Sequence, residues 1–535
     1  MDFDAWSYPY ASRRTVVYAN RGMVATGHPL AAQAGLSVLQ MGGNAIDAAV
    51  ATAAALTVVE PTANGIGSDA FALVWVKGKL HGLNASGPSP QGISLEAVKS
   101  AGNSEMPTFG WTPVTVPGAP GAWAELIEKF GKRSLPKVLA PAIQMAEEGH
   151  PVAPTVARGW QVAAQRFSNL FKGDEFKGWF DTFAKTGMGP NPGDVVRLTD
   201  HANTLRAIAE TNARAFYEGT LAEKIDAESR KQGGYLRLDD LASFRPEWVD
   251  PISVSYRGYD VWEIPPNGQG IVALMALNIL NGFEFSERET WQTYHRQIEA
   301  IKLAFADGKH YVTDPKAMQA SVAELLSPEF AAARRQLITD VALLPAPGKL
   351  PSSGTVYLST ADGEGNMVSY IQSNYMGFGS GVVVPGTGIA LQNRGHTFSL
   401  DAHHVNALAP GKRTYHTIIP GFLTKGREAV GPFGVMGGYM QPQGHLQVVS
   451  NLVDFHMNPQ AALDAPRWQW LDGKRVVVER SVPSHIAEKL VRMGHKVEVA
   501  NDGGGFGRGQ VIMRMQNGSL AGGTEPRTDG QIAAF

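Results

Sequence analysis

At 535 residues, with 44% hydrophobic and 18% charged side chains, the chain carries enough apolar material for one large α/β unit or two to four ordinary domains, and reads as soluble and globular. A net charge of −2 leaves no footprint for nucleic acid or an anionic membrane, so whatever is selected is recognised locally. With no cysteine, disulfides, thiolate nucleophiles, Cys-ligated zinc and Fe–S clusters are excluded, and covalent chemistry falls to Ser, Thr, Lys or a carboxylate.

The opening MDFDAWSYPYASRRTVVYANRG has acids and aromatics but no apolar h-region, and the apolar run Ala48 to Val59 is too short to span a bilayer, so a cytoplasmic protein is expected. Thr15 to Thr26 reads as a strand, Pro29 to Gln40 as a helix stopped by Met41-Gly42-Gly43-Asn44, and Ala45 to Val58 as an alanine-rich helix that packs closely on a sheet. The glycines of NGIGSDAF lead into a strand from Phe71 to Val76. Helices follow at Gly121 to Phe130 and Leu135 to Gly149, then a lobed surface region rich in Phe and Trp from Trp160 to Asp200. Further helices are expected at Asp200 to Glu210, Leu221 to Gln232, up to Leu280 after the Pro265–Gly270 turn, and Tyr294 to Tyr311 with Glu299 and Asp307. Leu343 to Gly354 (LLPAPGKLPSSG) is the clearest linker; beyond it strands dominate, with helices at His445 to Asp454, Pro459 to Ala465 and Ser484 to Met493.

Directly after that linker stands a hairpin: a β-like run from Thr355, a tight turn at Asp362-Gly363-Glu364-Gly365-Asn366, and a return from Met367 to Gln372. A hydroxyl at the head of a strand, after a small residue and a loose segment, is placed to attack the carbonyl before it. The new chain would begin with Thr355, whose own α-amine titrates near pH 7.7 to 8 and can serve as its base. Taken alone, a threonine opening a strand is also ordinary β-propensity.

Separated segments decide between these readings. GMVATGHPLAAQAGLSVLQMGGNAIDAAVA (22–51) with VVEPTANGIGSDAF, VPGAPGAWAELIEKFGKRSLPKVLAPAIQMAEEGHPV (116–152), YRGYDVWEIPPNGQG, EAIKLAFADGKHYVTDP (299–315), TVYLSTADGEGNMVS, PGKR (410–413), VMGGYMQPQGH, LDAPRW and TEPRTDG match in order and spacing along essentially the whole chain. Together they resemble the gamma-glutamyltransferases (gamma-glutamyltranspeptidases, glutathione hydrolases), which are autoprocessing N-terminal-nucleophile hydrolases. The resemblance implies an α/β fold, a four-layer αββα sandwich, in which residues 1–354 and 355–535 become two intertwined subunits after cleavage between Gly354 and Thr355. It implies Thr355 as nucleophile, Ser373 as the hydroxyl bonded to it, and Gly437-Gly438 as the oxyanion hole, where backbone N–H groups approach without side chains in the way. The expected partner is a small-molecule amide, with no cofactor, metal, nucleic acid or membrane; a homodimer is compatible with the resemblance.

The substrate pocket departs from the family pattern. Ser86 in LNASGPSP stands where the family keeps a carboxylate-gripping arginine, and no arginine occurs between Arg21 and Arg133. The position of the acid for the α-amino group falls on Thr397, with Asp401 the nearest acid. The Ser-Ser pair after PGKR becomes His416-Thr417, and the asparagine after Ser373 becomes Tyr375, with Asn374 beside it. Arg394, His396 and His416 are expected along one rim, with Arg394 either holding a substrate carboxylate or forming a structural ion pair. The changes resemble a divergent branch that includes oxamate amidohydrolase. They point to an amidohydrolase for a gamma-glutamyl or related small carboxylate-bearing amide, with water favoured as acceptor. A β-lactam side-chain (glutaryl or cephalosporin) acylase and a non-catalytic, uncut small-carboxylate binder are the alternatives. The histidines His396, His403, His404 and His416 lack the acidic spacing of a metal site, Gly505–Gly509 reads as a turn, and no Gly-x-Ser-x-Gly elbow is present.

Overall fold

The computed structural model describes residues 13–345 and 354–535. Most of the expected linker (346–353) and the first twelve residues lie outside the described residues.

Two seven-stranded sheets face each other. One contains, in spatial order, the strands Gln531–Ala534, Gly22–Thr26, Gly354–Asp362, Met367–Tyr375, Asp69–Val76, Lys79–Ala85 and Glu247–Val249. The other runs Val17–Ala19, Leu520–Thr524, Arg508–Arg514, Glu428–Met436, Gly421–Lys425, Tyr259–Glu263 and Ile252–Tyr256. The stretch expected as one strand from Thr15 to Thr26 is thus two short strands, one in each sheet, because the chain turns at Asn20-Arg21 and crosses the sandwich.

Period-two alternation along the hairpin explains the layering. Val356, Leu358, Val368 and Tyr370 pack outward with the helices Ala45–Val59, Ala119–Phe130 and Leu135–Glu148, while Tyr357, Ala361, Met367 and Ile371 point inward to Phe422, Met436 and Ile512 of the facing sheet and to Ile418 ahead of it. A third apolar layer, from Leu274, Ile298, Leu446 and their neighbours, lies between the second sheet and the helices Gly270–Leu280, Trp291–Tyr311 and Met440–Val453. The architecture is the expected αββα sandwich. Close approach is what the alanines of Ala45–Val59 supply: the whole helix is buried, and its Asn44–Asp47 capping box satisfies the first-turn N–H groups.

One region departs from expectation. Trp160 to Asp200 is largely exposed but also takes in most of a helix, Pro154–Leu170, whose Trp160, Ala164, Phe167 and following Phe171 fall on one buried face. With Trp179 and Phe183 they enclose Phe378, the residue three positions past the end of the hairpin. The stretch was expected as lobed surface structure; the helical spacing of its aromatics also gives it a core that anchors the segment leaving the hairpin.

Candidate active site

The hairpin extends further than its turn chemistry alone suggests. Gly354–Asp362 pairs antiparallel with Met367–Tyr375 from Ala361↔Met367 to Gly354↔Tyr375, with a register shift between Gly354 and Val356. That irregularity at the strand's head brings Thr355 opposite Ser373, and the Thr355 Oγ1 and Ser373 Oγ atoms lie 3.1 Å apart, both residues fully buried. Ser373 Oγ also accepts from Tyr375 N at 2.8 Å, which fixes its orientation.

The facing sheet reaches the same end of the sandwich. The Tyr357 ring lies against the Cα of Gly434, and Val356, Tyr357 and Met436 share a small crevice, so the end of Glu428–Met436 meets the start of Gly354–Asp362. Gly437-Gly438 follow at once, with φ of 133° and 60°, a succession that glycine tolerates and L side chains avoid. Their carbonyls accept from Met440 N, Gln441 N and Gln269 Nε2, which sets the direction of the turn. The nucleophile candidate, its hydroxyl partner and the glycine pair are therefore gathered at one end of the two sheets.

Beside them opens a cleft of about 750 Å³. Tyr375 and Tyr439 line it, with phenols hydrogen-bonded to each other, together with Met106, His396 and Thr397. Glu105, Asp401 and the ion pair Asp472–Arg475 surround these. His396 Nδ1 is engaged by the Met106 carbonyl at 2.8 Å.

Arg394 and His416 do not lie on that rim, contrary to expectation. Both are buried and both bind Asp69: Arg394 through Nε at 2.9 Å and Nη2 at 3.2 Å, and His416 through Nε2 at 2.6 Å. Asp69 heads the strand Asp69–Val76 and stands directly opposite Ser373 in register. Burial pushes its carboxyl up, but Arg394 and then His416 outweigh that and hold it at about 2. Burial, and next the Arg394 charge, lower His416 to about 4, so the ring is neutral, donates from Nε2 to Asp69, and accepts from Ile418 N at Nδ1. Arg394 further donates to Thr417 Oγ1 at 2.7 Å and its guanidinium lies 4.6 Å from the Tyr375 ring centroid. Sequence reasoning missed Asp69; the signal was an acid opening the apolar run DAFALVWV, which has to find a cation.

The remaining expected residues divide. Thr397 lines the cleft and donates to the Arg394 carbonyl. Thr417 is buried behind Arg394. Asn374 points to the opposite face of its strand, where Oδ1 accepts from Ser68. Ser86 is buried in a polar cluster with Asn84 and Asn267, and Arg413 holds its carbonyl. Arg467 of LDAPRW and Glu525 and Arg527 of TEPRTDG form an ion-pair network with Glu479, which gives these residues a structural role.

Among the described residues, one group could hold a metal by geometry: His295, Glu299 and His495. Their protons are already assigned without one. His295 Nε2 donates to Thr339 O at 2.6 Å, so Nδ1 accepts from His495 Nε2 at 2.9 Å, and Lys302 Nζ bridges Glu299 at 2.6 Å and His495 Nδ1 at 3.5 Å. Lys302 occupies the cation position, and Glu299 and Lys302 both bind the backbone of Leu343. The cluster fits a clamp on the segment that leads to the linker, not a metal site.

Comparison with known proteins places the chain among relatives along its whole length. The gamma-glutamyltranspeptidase family model matches residues 31–535. A glutathione hydrolase-like YwrD proenzyme of Bacillus subtilis is 37% identical over 96% of this chain and 98% of its own length. The oxamate amidohydrolase proenzyme of Klebsiella pneumoniae is 36% identical over 97% of this chain and 99% of its own. Among solved structures, a cephalosporin acylase from Bacillus halodurans superposes with a TM-score of 0.98 at 64% identity, covering all of this chain and 99% of that one.

Proposed function

The chain belongs to the gamma-glutamyltranspeptidase family, and on that premise we propose that it cuts itself between Gly354 and Thr355 and then hydrolyses amides of a small carboxylate-bearing acyl group. The observation that carries this is the Thr355–Ser373 hydroxyl pair at the end of the sandwich, across from Gly437-Gly438 and beside the cleft. Thr355 Oγ1 attacks the substrate carbonyl, its freed α-amine takes the hydroxyl proton and returns it to the leaving amine, and the backbone N–H groups of Gly437 and Gly438 receive the developing negative charge. Water then attacks the ester at Oγ1 and releases the acid. The parts 1–354 and 355–535 stay together as one sandwich, because strands on both sides of the cut alternate within each sheet.

Acyl-group selection of the side-chain acylase kind is favoured over γ-glutamyl recognition by one specific observation. The two positions expected to grip a glutamyl carboxylate are taken: Arg394 is committed to Asp69, and Ser86, locked among amides, stands where the family keeps an arginine. The 64% identity to the cephalosporin acylase supports the same choice. His396 and Arg475 are the cleft side chains suited to a terminal carboxylate. Glutaryl-p-nitroanilide and γ-glutamyl-p-nitroanilide separate the readings: kcat/KM at least tenfold higher for the glutaryl amide is expected, and the reverse order would return the enzyme to γ-glutamyl chemistry.

A further inference from the structure

The strand that flanks Gly354–Asp362 on its other side, Gly22–Thr26, ends opposite Leu358, and the chain turns away at Gly27 into the helix Pro29–Gln40. Where it leaves, a crevice of about 10 Å³ remains, lined by Gly27, Glu60, Val356, Tyr357, Met436, Arg508 and Gln510. That is the volume one water molecule needs, provided that two to four polar groups hold it. The groups are present. Glu60 is 2% exposed and takes a hydrogen bond from Arg508 Nη1 at 3.3 Å through Oε1, while its Oε2 lies toward Gly27. Gln510 is 1% exposed, and its Oε1 has no hydrogen-bond partner in the structure. A buried amide oxygen left without a donor costs about 1–3 kcal/mol, so a group that donates to it is called for.

We propose that this crevice is a binding site for one water molecule, held by Glu60, Arg508 and Gln510, through which Glu60 delivers a proton to the nitrogen of Thr355 during self-cleavage. Val356, the next residue along, forms the crevice wall. The inference rests on Thr355 being the cleavage nucleophile. As Oγ1 bonds to the Gly354 carbonyl carbon and the carbon–nitrogen bond to Thr355 breaks, the nitrogen gains a proton and Oγ1 loses one. Glu60 in its acid form supplies the first through the water. The proton from Oγ1 passes to solvent, from which Glu60 is reprotonated, so an ester and an amine replace the amide with no net change in protons. Ser373 serves the oxygen side of the reaction and Glu60 the nitrogen side. Because it acts through the water, Glu60 is a positioning residue.

The charged groups facing Glu60 are Arg508, from the opposite sheet, and Asp529, which precedes the strand Gln531–Ala534 and is held by Thr155. Burial raises the Glu60 carboxyl to about 7; Arg508 opposes this and Asp529 adds to it. The acid form is therefore present below about pH 7 and lost above it.

Cell-free synthesis of the full chain, followed by denaturing gels over time at pH 6 to 9, tests the inference. Wild-type cleavage is expected to slow as pH rises through about 7. Glu60→Gln should cleave at least tenfold more slowly and lose that pH dependence while melting within a few degrees of wild type. Gln510→Leu, which seals the water site and leaves the Glu60–Arg508 pair intact, should slow cleavage in the same way and keeps the test open if Glu60→Gln misfolds. Cleavage of both variants at the wild-type rate and pH profile overturns the water relay while leaving Thr355 as nucleophile. A wild-type chain that stays uncut overturns both readings.

Discussion

Asp69 stands opposite Ser373 across neighbouring strands, so the buried Asp69–Arg394–His416 group is built directly behind the hydroxyl that contacts Thr355. The ion pair supports the candidate site from beneath.

Removing its cation tests that relationship. Arg394→Met leaves the Asp69 carboxylate buried without its main partner and is expected to cost about 3–5 kcal/mol. The Asp69→Asn/Arg394→Met double variant should recover a large part of this. Urea unfolding measures both; unchanged stability with a raised KM for glutaryl-p-nitroanilide would restore Arg394 as a substrate ligand.

Ser373→Ala removes the hydroxyl beside Oγ1 and strands the Tyr375 N–H. We expect cleavage and turnover slower by about 10- to 100-fold and a stability loss of about 1–3 kcal/mol. Cleavage at the wild-type rate in a folded variant would remove Ser373 from the mechanism.

Acid should weaken the fold well before Asp69 titrates. Burial, as the largest cause in each, holds His150, His201 and His416 at about 4 and His28 and His445 at about 3. The unfolded chain takes up these protons below about pH 6.5 and the folded chain does not, so stability falls as pH drops from about 6.5 toward 4, by about 2 kcal/mol per histidine at pH 5. Asp69 acts lower: its depressed carboxyl stabilises the fold above the ordinary carboxylate range and that contribution is lost as pH falls toward about 2. Urea midpoints at pH 7.5 and pH 5 should differ clearly; equal midpoints contradict the neutral buried histidines.

The His295–Glu299–Lys302–His495 cluster predicts indifference to metal. EDTA should leave Tm and cleavage unchanged, and Lys302→Met should lower Tm by freeing Glu299 and the Leu343 backbone. A Tm raised by added zinc in the wild type would show that the lysine yields to a cation.

Much of this site was legible before any coordinates, and for identifiable reasons. The hairpin headed by Thr355 is written locally in its alternation and turn, whereas Ser373 and Gly437-Gly438 were named through the family resemblance and lie at or near the ends of strands that reach the same end of the sandwich. The helices of the outer layers followed from spacing and caps in the same way. The choice left open for Arg394, substrate carboxylate or structural ion pair, and the burial of His416 were not legible because a cation's partner is set by register between strands far apart in sequence, and Asp69 is more than 300 residues away. Glu60 was passed over for the same reason: its neighbours Arg508 and Gln510, on one strand, and Val356, on another, come from two distant segments. The aromatic helix at Pro154–Leu170 was misread because composition was weighed above its period.

The central claim is that Thr355 opens the chain at its own amino side. Mass spectrometry of the purified full-length protein, beside Thr355→Ala, measures this directly. The account predicts fragments spanning 1–354 and 355–535, the second beginning with Thr355, and an intact Thr355→Ala chain; an uncut wild type, or a Thr355→Ala chain cut at the same bond, would contradict it.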